Sequence, residues 1–408
     1  MPALTAYDVR APRGATAGEL LRLIRAGRTC TRGELQRVTG LSRSTVGQRL
    51  DQLFAAGWIR ESGSAPSPSV GRPSARLEFD GGHALVLAAD LGTRHARAAA
   101  LDLTGRVLAE RTGGLSVDAG PEPVLDRLGG WFAELLAETG RGPDAVCGAG
   151  LSVPGPVDVA AGRLVQPPIM PGWDGVPVGP VLRAALARRL PSLPVPLPVY
   201  VDNDANLMAY AEQRAGHPDC SAFLLIKAST GIGAGVVVDG GVYRGIDGGA
   251  GDIGHIRLHD VPDALCSCGS YGCLAAVASG GAIARALTAS GVPAASGSDV
   301  RRLLAAGHPE AVRLAAEAGR RVGEVLGTVV TLLNPGVLMV AGDLASVPFV
   351  TGVRELLYQR AMPRTTAHLE VVTAGLGERA GLLGAGAMVV EALYEPGTAD
   401  ARLAALGV

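Results

Sequence analysis

The sequence predicts an α/β protein, with a body of mixed sheets and helices behind a small, mainly helical head. Two patterns predict the fold class. From Ala84 onward, short apolar runs rich in Val, Ile, Leu and Ala alternate with helical stretches. Before that point, residues 16–56 carry three short helical stripes instead. The charge divides at the same place. Residues 1–80 hold twelve arginines against seven acids, a net +5, and the remainder holds twenty-five basic against thirty-one acidic residues, a net −6. A basic head on an acidic body predicts that only the head meets a polyanion.

The chain has 408 residues, enough for two or three domains and a large core. Arginine carries almost all of the positive charge, and Lys227 is the only lysine. No apolar run reaches the roughly 18–20 residues that span a bilayer, and the N-terminus lacks a charged-then-apolar leader. A cytoplasmic location is therefore expected, and the six cysteines are not read as a disulfide framework.

Residues 1–14 show no periodicity and are expected to be a loose tail. Leu20, Leu21 and Ile24 mark a first helix between Thr16 and Arg28. A second runs from Thr31 to Val38, with Thr31 as N-cap and Glu34 at the capping-box position. Thr39-Gly40-Leu41 breaks it. Ser42 then caps a third helix, in which Val46, Leu50 and Leu53 recur at i, i+4 and i+7. Residues 58–60 and 75–79 form the strands of a hairpin whose loop is the Ser/Pro/Gly-rich stretch 62–74.

Three helices with a tight glycine turn before the third, followed by a hairpin, describe a winged helix-turn-helix. The third helix is then the one that enters the major groove. Arg43, Ser44, Thr45, Gln48 and Arg49 are its candidate contacts to bases and phosphates. Arg72, within Gly71-Arg72-Pro73, is a wing contact suited to a narrow minor groove. The alternative is a helical protein-interaction module with a solvated arginine face.

In the body, strands are expected at 84–90, 96–102, 146–153, 199–202, 223–227, 234–238 and 337–340. The proline-rich stretch 191–198 is a connector, and 394–408 is expected to fray. His255 precedes Cys266, Cys268 and Cys273. Three thiolates and one imidazole suit tetrahedral Zn²⁺ in a closed, structural site. Glycines 269 and 272 let the loop turn tightly. The alternative is three reduced cysteines in a loop, with His255 hydrogen-bonded in the core. Cys30, Cys147 and Cys220 are read as plain buried thiols, and the other six histidines show no partner pattern.

The segments "GGAGDIGHI" (248–256), "CSCGSYGCL" (266–274) and "ASGGAI" (278–283) resemble the signature of the ROK family of repressors, open reading frames and sugar kinases. "LSVPGPVD" (151–158), "PGWDG" (171–175), "VDNDAN" (201–206), "STGIGAGVV" (229–237) and "LLNPGVLMVAGDL" (332–344) fall in family order around them. The head and its "GRP" wing resemble the repressor branch. The resemblance covers nearly the whole chain. It implies an actin-like, two-lobed sugar-kinase fold behind the winged helix-turn-helix. The expected division is a head over 1–80, a first lobe over 83–200 plus 376–394, and a second lobe with the zinc loop over 201–375.

By that resemblance Asp204 is the general base if the chain is a kinase. Asn203, Asp204, Asp252 and His255 form a sugar-binding ring, and Gly92, Thr230, Gly231 and Gly233 lie in phosphate loops. The family's partners are double-stranded operator DNA, a sugar or sugar-phosphate effector, and further copies of the chain in a dimer or tetramer. Several positions depart from the kinase pattern. Thr93 and Arg94 stand where a Gly-Thr pair is usual, Ser229 replaces a glycine, Asp252 replaces a Glu, and Ala275 replaces a sugar-binding Glu. The lost glycines and carboxylate argue against ATP as a cofactor and against an active kinase. The expected function is a sugar-responsive regulator, in most cases a repressor, of carbohydrate metabolism. The alternatives are an ATP-dependent hexose or N-acetylhexosamine kinase using Asp204, and a DNA-binding protein whose body only dimerises. Trp173 is expected either to face a sugar or to be a buried packing residue. An Asn-Asp pair such as 203–204 is also a common helix cap.

Overall fold

The structure is a computed structural model, described here for residues 14–27, 31–64, 75–194 and 196–408. Arg72, expected as a wing contact, Cys30 and most of the N-terminal tail lie outside the described residues.

The head contains α1 (Ala17–Arg25), α2 (Arg32–Thr39) and α3 (Arg43–Ala55). Each helix starts where a hydroxyl can accept from an otherwise orphaned N–H. Thr16 Oγ1 accepts from Glu19, Thr31 Oγ1 from Glu34, and Ser42 Oγ from Thr45, at 3.1–3.3 Å. Gly40, at φ +69°, closes α2 and turns the chain into α3. The hairpin pairs β1 (Ile59–Ser64) with β2 (Ala75–Phe79) antiparallel, Ile59 opposite Phe79. Leu20, Leu21, Leu35, Leu50 and Leu53 fill the middle of the head.

The first body sheet comprises β3 (Leu85–Leu91), β4 (His95–Asp102), β5 (Val107–Gly114), β6 (Val146–Val153) and, after the two-residue pair β7 (Val157–Asp158) and β8 (Arg163–Leu164), β9 (Val199–Asn203). Its order is β5-β4-β3-β6-β9. The first three strands meander antiparallel, and β3, β6 and β9 run parallel. Two helices, α4 (Pro121–Glu138) and α5 (Val178–Ala187), cover one face through Leu128, Phe132, Leu182 and Leu186.

After α6 (Asp204–Gly216) comes a second sheet with the same internal order. It is built from β10 (Ala222–Ala228), β11 (Ile232–Val238), β12 (Gly241–Val242), β13 (Val337–Ala341) and β14 (Glu370–Thr373), arranged β12-β11-β10-β13-β14. Its helices are α7 (Leu274–Ala278), α8 (Gly280–Ala289), α9 (Gly297–Ala305), α10 (Pro309–Leu333), α11 (Val347–Arg360) and α12 (Pro363–Thr366). Helix α13 (Ala380–Tyr394) then returns to the first sheet, where Gly148 and Gly150 leave room for Val389 and Ala385. Helix α14 (Pro396–Leu406) ends the chain. Two sheets of matching topology set tight turns opposite each other, Gly92 after β3 and Thr230–Gly231 after β10. That repetition creates the cleft.

Three expectations need correction, and the open choice for Trp173 is resolved. The C-terminal stretch does not fray. Glu395 caps α14 through Thr398, and Ala399 and Leu403 are buried with Trp58 and Leu23 of the head. Asp400 accepts from the Gly18 N–H at 2.8 Å, and the Arg402 guanidinium stacks over Trp58 and Tyr394. A short helix that is weakly apolar on its own becomes stable by packing on a distant part of the chain. Trp173 is fully buried, and its Nε1–H donates to the Val117 carbonyl at 2.9 Å. It is a packing residue and offers no face to a sugar. Cys147 and Cys220 are half-buried rather than buried, each donating to a backbone carbonyl at 3.2 Å. His83 does have partners. Its Nε2 lies 2.6 Å from Tyr394 Oη and its Nδ1 lies 2.5 Å from the Asp80 carbonyl. Strand β5 was not anticipated at all.

Candidate ligand cleft, metal cluster and nucleic-acid interface

Strand β9 runs into α6, and this junction delivers Asn203 and Asp204 to the cleft. Asn203 is the N-cap of α6. Its Oδ1 accepts from the Ala205 and Asn206 N–H groups, and its Nδ2 donates to the Gly155 carbonyl at 3.1 Å. The capping role and a place on the cavity wall coexist in one side chain. Asp204 follows as the first residue of the helix and is 7% exposed.

The opposite wall comes from the 248–256 loop. Gly251 sits at φ +105°, and a Cβ there would lie 2.0 Å from the Ala234 carbonyl oxygen. Only glycine lets the loop lie against β11 so closely. That packing brings Asp252 and then His255, in the turn Ile253–His255, to the cavity. Partial burial pushes the Asp252 carboxyl above its ordinary range, and His255 opposes the shift.

A cavity of about 500 Å³ joins these walls. It is lined by Asn203, Asp204, Asp252 and His255, and the four phosphate-loop candidates Gly92, Thr230, Gly231 and Gly233 also open onto it. Its size is in the range of small-molecule sites. Ala275 lines the same cavity and presents only a methyl group. Ser229 does not obstruct the second turn, because its hydroxyl is turned away to accept from the Asp343 N–H at 3.1 Å.

Sequence reasoning missed two polar contacts. Arg244 forks both its Nε and Nη2 onto Asp202 Oδ2, at 2.8 and 2.7 Å. Asp202 is 1% exposed and also accepts from Asn206 Nδ2 and the Asn203 N–H. A charge buried so deeply needs such partners, and this one pins the loop after β12 to the end of β9. The second is the ion pair between Lys227 of β10 and Asp204. A lone lysine in the sequence was its only signal.

His255 continues directly into the cysteine cluster. His255 Nδ1 is 3.7 Å from Cys266 Sγ, and Cys268 Sγ is 3.8 Å from Cys273 Sγ. All four ligand atoms lie within 4.8 Å of one another. A tetrahedron with metal–sulfur bonds of about 2.3 Å has edges of about 3.8 Å. Two of the edges match that figure, and the four donors are gathered closely enough to hold a tetrahedral ion. The loop is held by hydrogen bonds from the Cys266 N–H to the Ser270 carbonyl and from the Leu258 N–H to the Gly272 carbonyl. Gly269 and Gly272 supply the left-handed turns.

In the head, α3 presents Arg43, Ser44 and Gln48 to solvent, with Thr45 and Arg49 half-buried beside them. The hydroxyls of Ser44 and Thr45 each lie 2.8 Å from Ser42 Oγ. These two hydroxyls thus also serve the cap. No helix among the described residues is long and apolar enough to cross a membrane.

Paired sheets of one topology, closed over a shared cavity, define a protein of sugar-kinase-like architecture. Residues 86–392 match the ROK family, and the chain belongs to that family. It is similar over 95% of its length to the crystal structure of a ROK family transcriptional regulator, a homolog of the E. coli MLC protein, with a TM-score of 0.78, 27% identity and 98% of that chain covered. It is 27% identical to the xylose repressor of Caldicellulosiruptor bescii over 375 residues, covering 87% of this chain and 90% of the relative. It is also 29% identical to the glucokinase of Thermotoga maritima over 329 residues, covering 75% of this chain and 97% of the relative. The family thus includes both repressors and kinases.

Proposed function

We propose that this chain is a sugar-responsive transcriptional repressor. The observation that carries the reading is the joining, in one chain, of a helix-turn-helix head to a cleft where Asn203, Asp204, Asp252 and His255 converge. The similarity to the xylose repressor and to the MLC homolog supports it. Helix α3 reads base edges through Arg43, Gln48 and Arg49, Ser44 and Thr45 touch phosphates, and Arg72 extends the contact into the minor groove. Two copies of the chain set two heads on the half-sites of an operator. The division into a head over 1–80 and two lobes is part of this proposal, as is action in the cytoplasm. His255, Cys266, Cys268 and Cys273 would hold a zinc ion, which would supply a structural clamp, and the three cysteines would thereby fix His255 at the edge of the cleft. A sugar in the ring of Asn203, Asp204, Asp252 and His255 alters head spacing in proportion to its differential affinity for the two arrangements.

The test is selection of binding sites from random duplex DNA, followed by gel shift at about 0.15 M salt. A sequence-selective complex that D-xylose or D-glucose alters is the expected result, and failure to select any sequence would sink the reading. Arg43→Ala is expected to weaken the selected complex by about 1–3 kcal/mol and to relax the preference at one base pair. Equal affinity for selected and scrambled sites in the parent protein would contradict that.

A second reading has a specific observation behind it, since Asp204 stands in the cavity at the position of the family's general base. On that reading the chain is an ATP-dependent kinase for a hexose or N-acetylhexosamine. The missing carboxylate at Ala275 and the ion pair on Asp204 weigh against it. A coupled assay for ADP over a sugar panel is expected to show no turnover. Turnover that vanishes in Asp204→Ala would reverse the choice.

A further inference from the structure

Lys227 is the only lysine in the chain. It stands on β10, opposite Gly233 on β11 and Ala341 on β13, and its side chain lines the cavity. Nζ pairs with Asp204, and the charges of Asp90 and Asp343 also act on it. These three carboxylates come from different elements: β3, the first turn of α6, and the loop after β13. Asp90 is enclosed on its other sides. Ser152 Oγ donates to its Oδ1 at 2.5 Å, and a Cβ on Gly381 of α13 would lie 2.6 Å from the same oxygen. Burial on its own would lower the pKa of Lys227, but Asp204 and Asp90 outweigh it and hold the ammonium above its ordinary value. Burial raises Asp90, and Lys227 opposes that rise.

Carboxylates gathered in a protein interior need a positive partner. In phosphoryl transfer that partner is a divalent cation bridging the phosphates, and the base must keep a carboxylate oxygen free for the proton. Here the positive partner belongs to the chain, and it already occupies one of the two Asp204 oxygens, Oδ2. The sugar end of the cavity then holds two carboxylates, Asp204 and Asp252, against one ammonium, which disfavours a phosphate there.

We propose that Lys227 is a built-in counter-ion that replaces the divalent cation of a phosphoryl-transfer site, so that the cleft takes an uncharged polyol without metal or nucleotide. The ligand class rests on the sugar-receptor reading, whereas the counter-ion role does not.

A single lysine makes amine chemistry specific. Full-length protein is treated with an acetylating N-hydroxysuccinimide ester, and the peptide containing residue 227 is followed by mass spectrometry. Native Lys227 is expected to react at least tenfold more slowly than in the urea-unfolded chain, and Asp204→Asn is expected to speed the native reaction several-fold. A native rate equal to the unfolded one, or one indifferent to Asp204→Asn, overturns the counter-ion.

Mn²⁺ titration by electron paramagnetic resonance is the second measurement. The zinc-loaded parent is expected to show no saturable Mn²⁺ site at millimolar concentration. Lys227→Met is expected to gain one that binds at least tenfold more tightly and that the Lys227→Met, Asp204→Asn double variant lacks. A Mn²⁺ site in the parent as tight as that of Lys227→Met overturns the proposal, and so does absence of the gain in folded Lys227→Met.

For ligand class, D-xylose and D-glucose are expected to raise the melting midpoint without Mg²⁺, and glucose 6-phosphate is not. A silent panel, or a response only to the phosphate or only with Mg²⁺ and nucleotide, refutes the ligand class. Failure to bind DNA would sink the repressor reading and leave the Lys227 results standing.

Discussion

Cys273→Ser is expected to abolish stoichiometric zinc and the sugar response together while leaving operator binding in place. Cys273 is 1% exposed, lies 3.8 Å from Cys268 Sγ, and stands at the N-cap of α7. Its loss leaves three ligands and an open position. Outer-shell partners of a metal site are already worth about 10–100-fold in affinity, and a lost thiolate costs more. Metal-binding energy is folding energy where the site does not preexist in the unfolded loop. Residues 256–273 therefore lose their order when the ion leaves. His255 then loses its anchor and the sugar ring opens on one side. The head draws its packing from α13 and α14 rather than from this loop, so DNA binding persists. Metal analysis, a sugar thermal-shift series and gel shift on the same preparation check all three claims. Full zinc content in Cys273→Ser would remove this cysteine from the ligand set.

Tyr394→Ala is expected to split a single unfolding transition into two, with the head melting first. Tyr394 is fully buried and touches Trp58, Phe79 and His83 edge-on, at centroid distances of 5.1–5.7 Å. The guanidiniums of Arg25 and Arg402 lie over its ring. Truncating a buried aromatic costs about 3–5 kcal/mol, and this one belongs to the head and the body at once. Calorimetry reads the outcome directly, and one undivided transition would refute it.

The same joint confers a pH dependence. Burial holds His83 below its ordinary pKa of 6.5, outweighing the pull of Asp80, and Arg402 and Arg141 act in the same direction as burial. As pH falls, the unfolded chain takes up the proton first. The stability from this group is complete above about 6.5 and is lost as pH drops below it. Melting midpoints between pH 7.5 and 5.5 should fall more steeply for the parent than for His83→Asn. Parallel profiles would show that His83 does not contribute.

Local chemistry was legible in the sequence, and contacts between distant segments were not. Thr31 and Ser42 announced their helices because a cap acts within three residues. The runs at 146–153 and 223–227 announced central strands because both faces are buried. The cysteine cluster was visible because its spacing is itself the site. Strand β5 escaped because "VLAERTGG" lies at a sheet edge with none of its residues buried, and no hydrophobic period marks it. Helix α14 escaped because its partners are Trp58 and α1, more than three hundred residues away. The Lys227–Asp204 pair escaped for a similar reason. Each residue was noticed alone, but only the β10–α6 packing brings them together.

One helix bears on how sensor and reader communicate. Gly381, at one end of α13, abuts Asp90 on the cavity wall, and Tyr394, at the other, is the keystone of the head joint. Fifteen residues at 1.5 Å each make a rod of about 22 Å. A pivot of about 5° at the sugar end would carry the far end roughly 2 Å, comparable to the helix shifts known at regulatory interfaces. On the repressor reading proposed above, such gearing would turn a small adjustment around a bound sugar into a displacement large enough for two operator-bound heads to fall out of step with the groove.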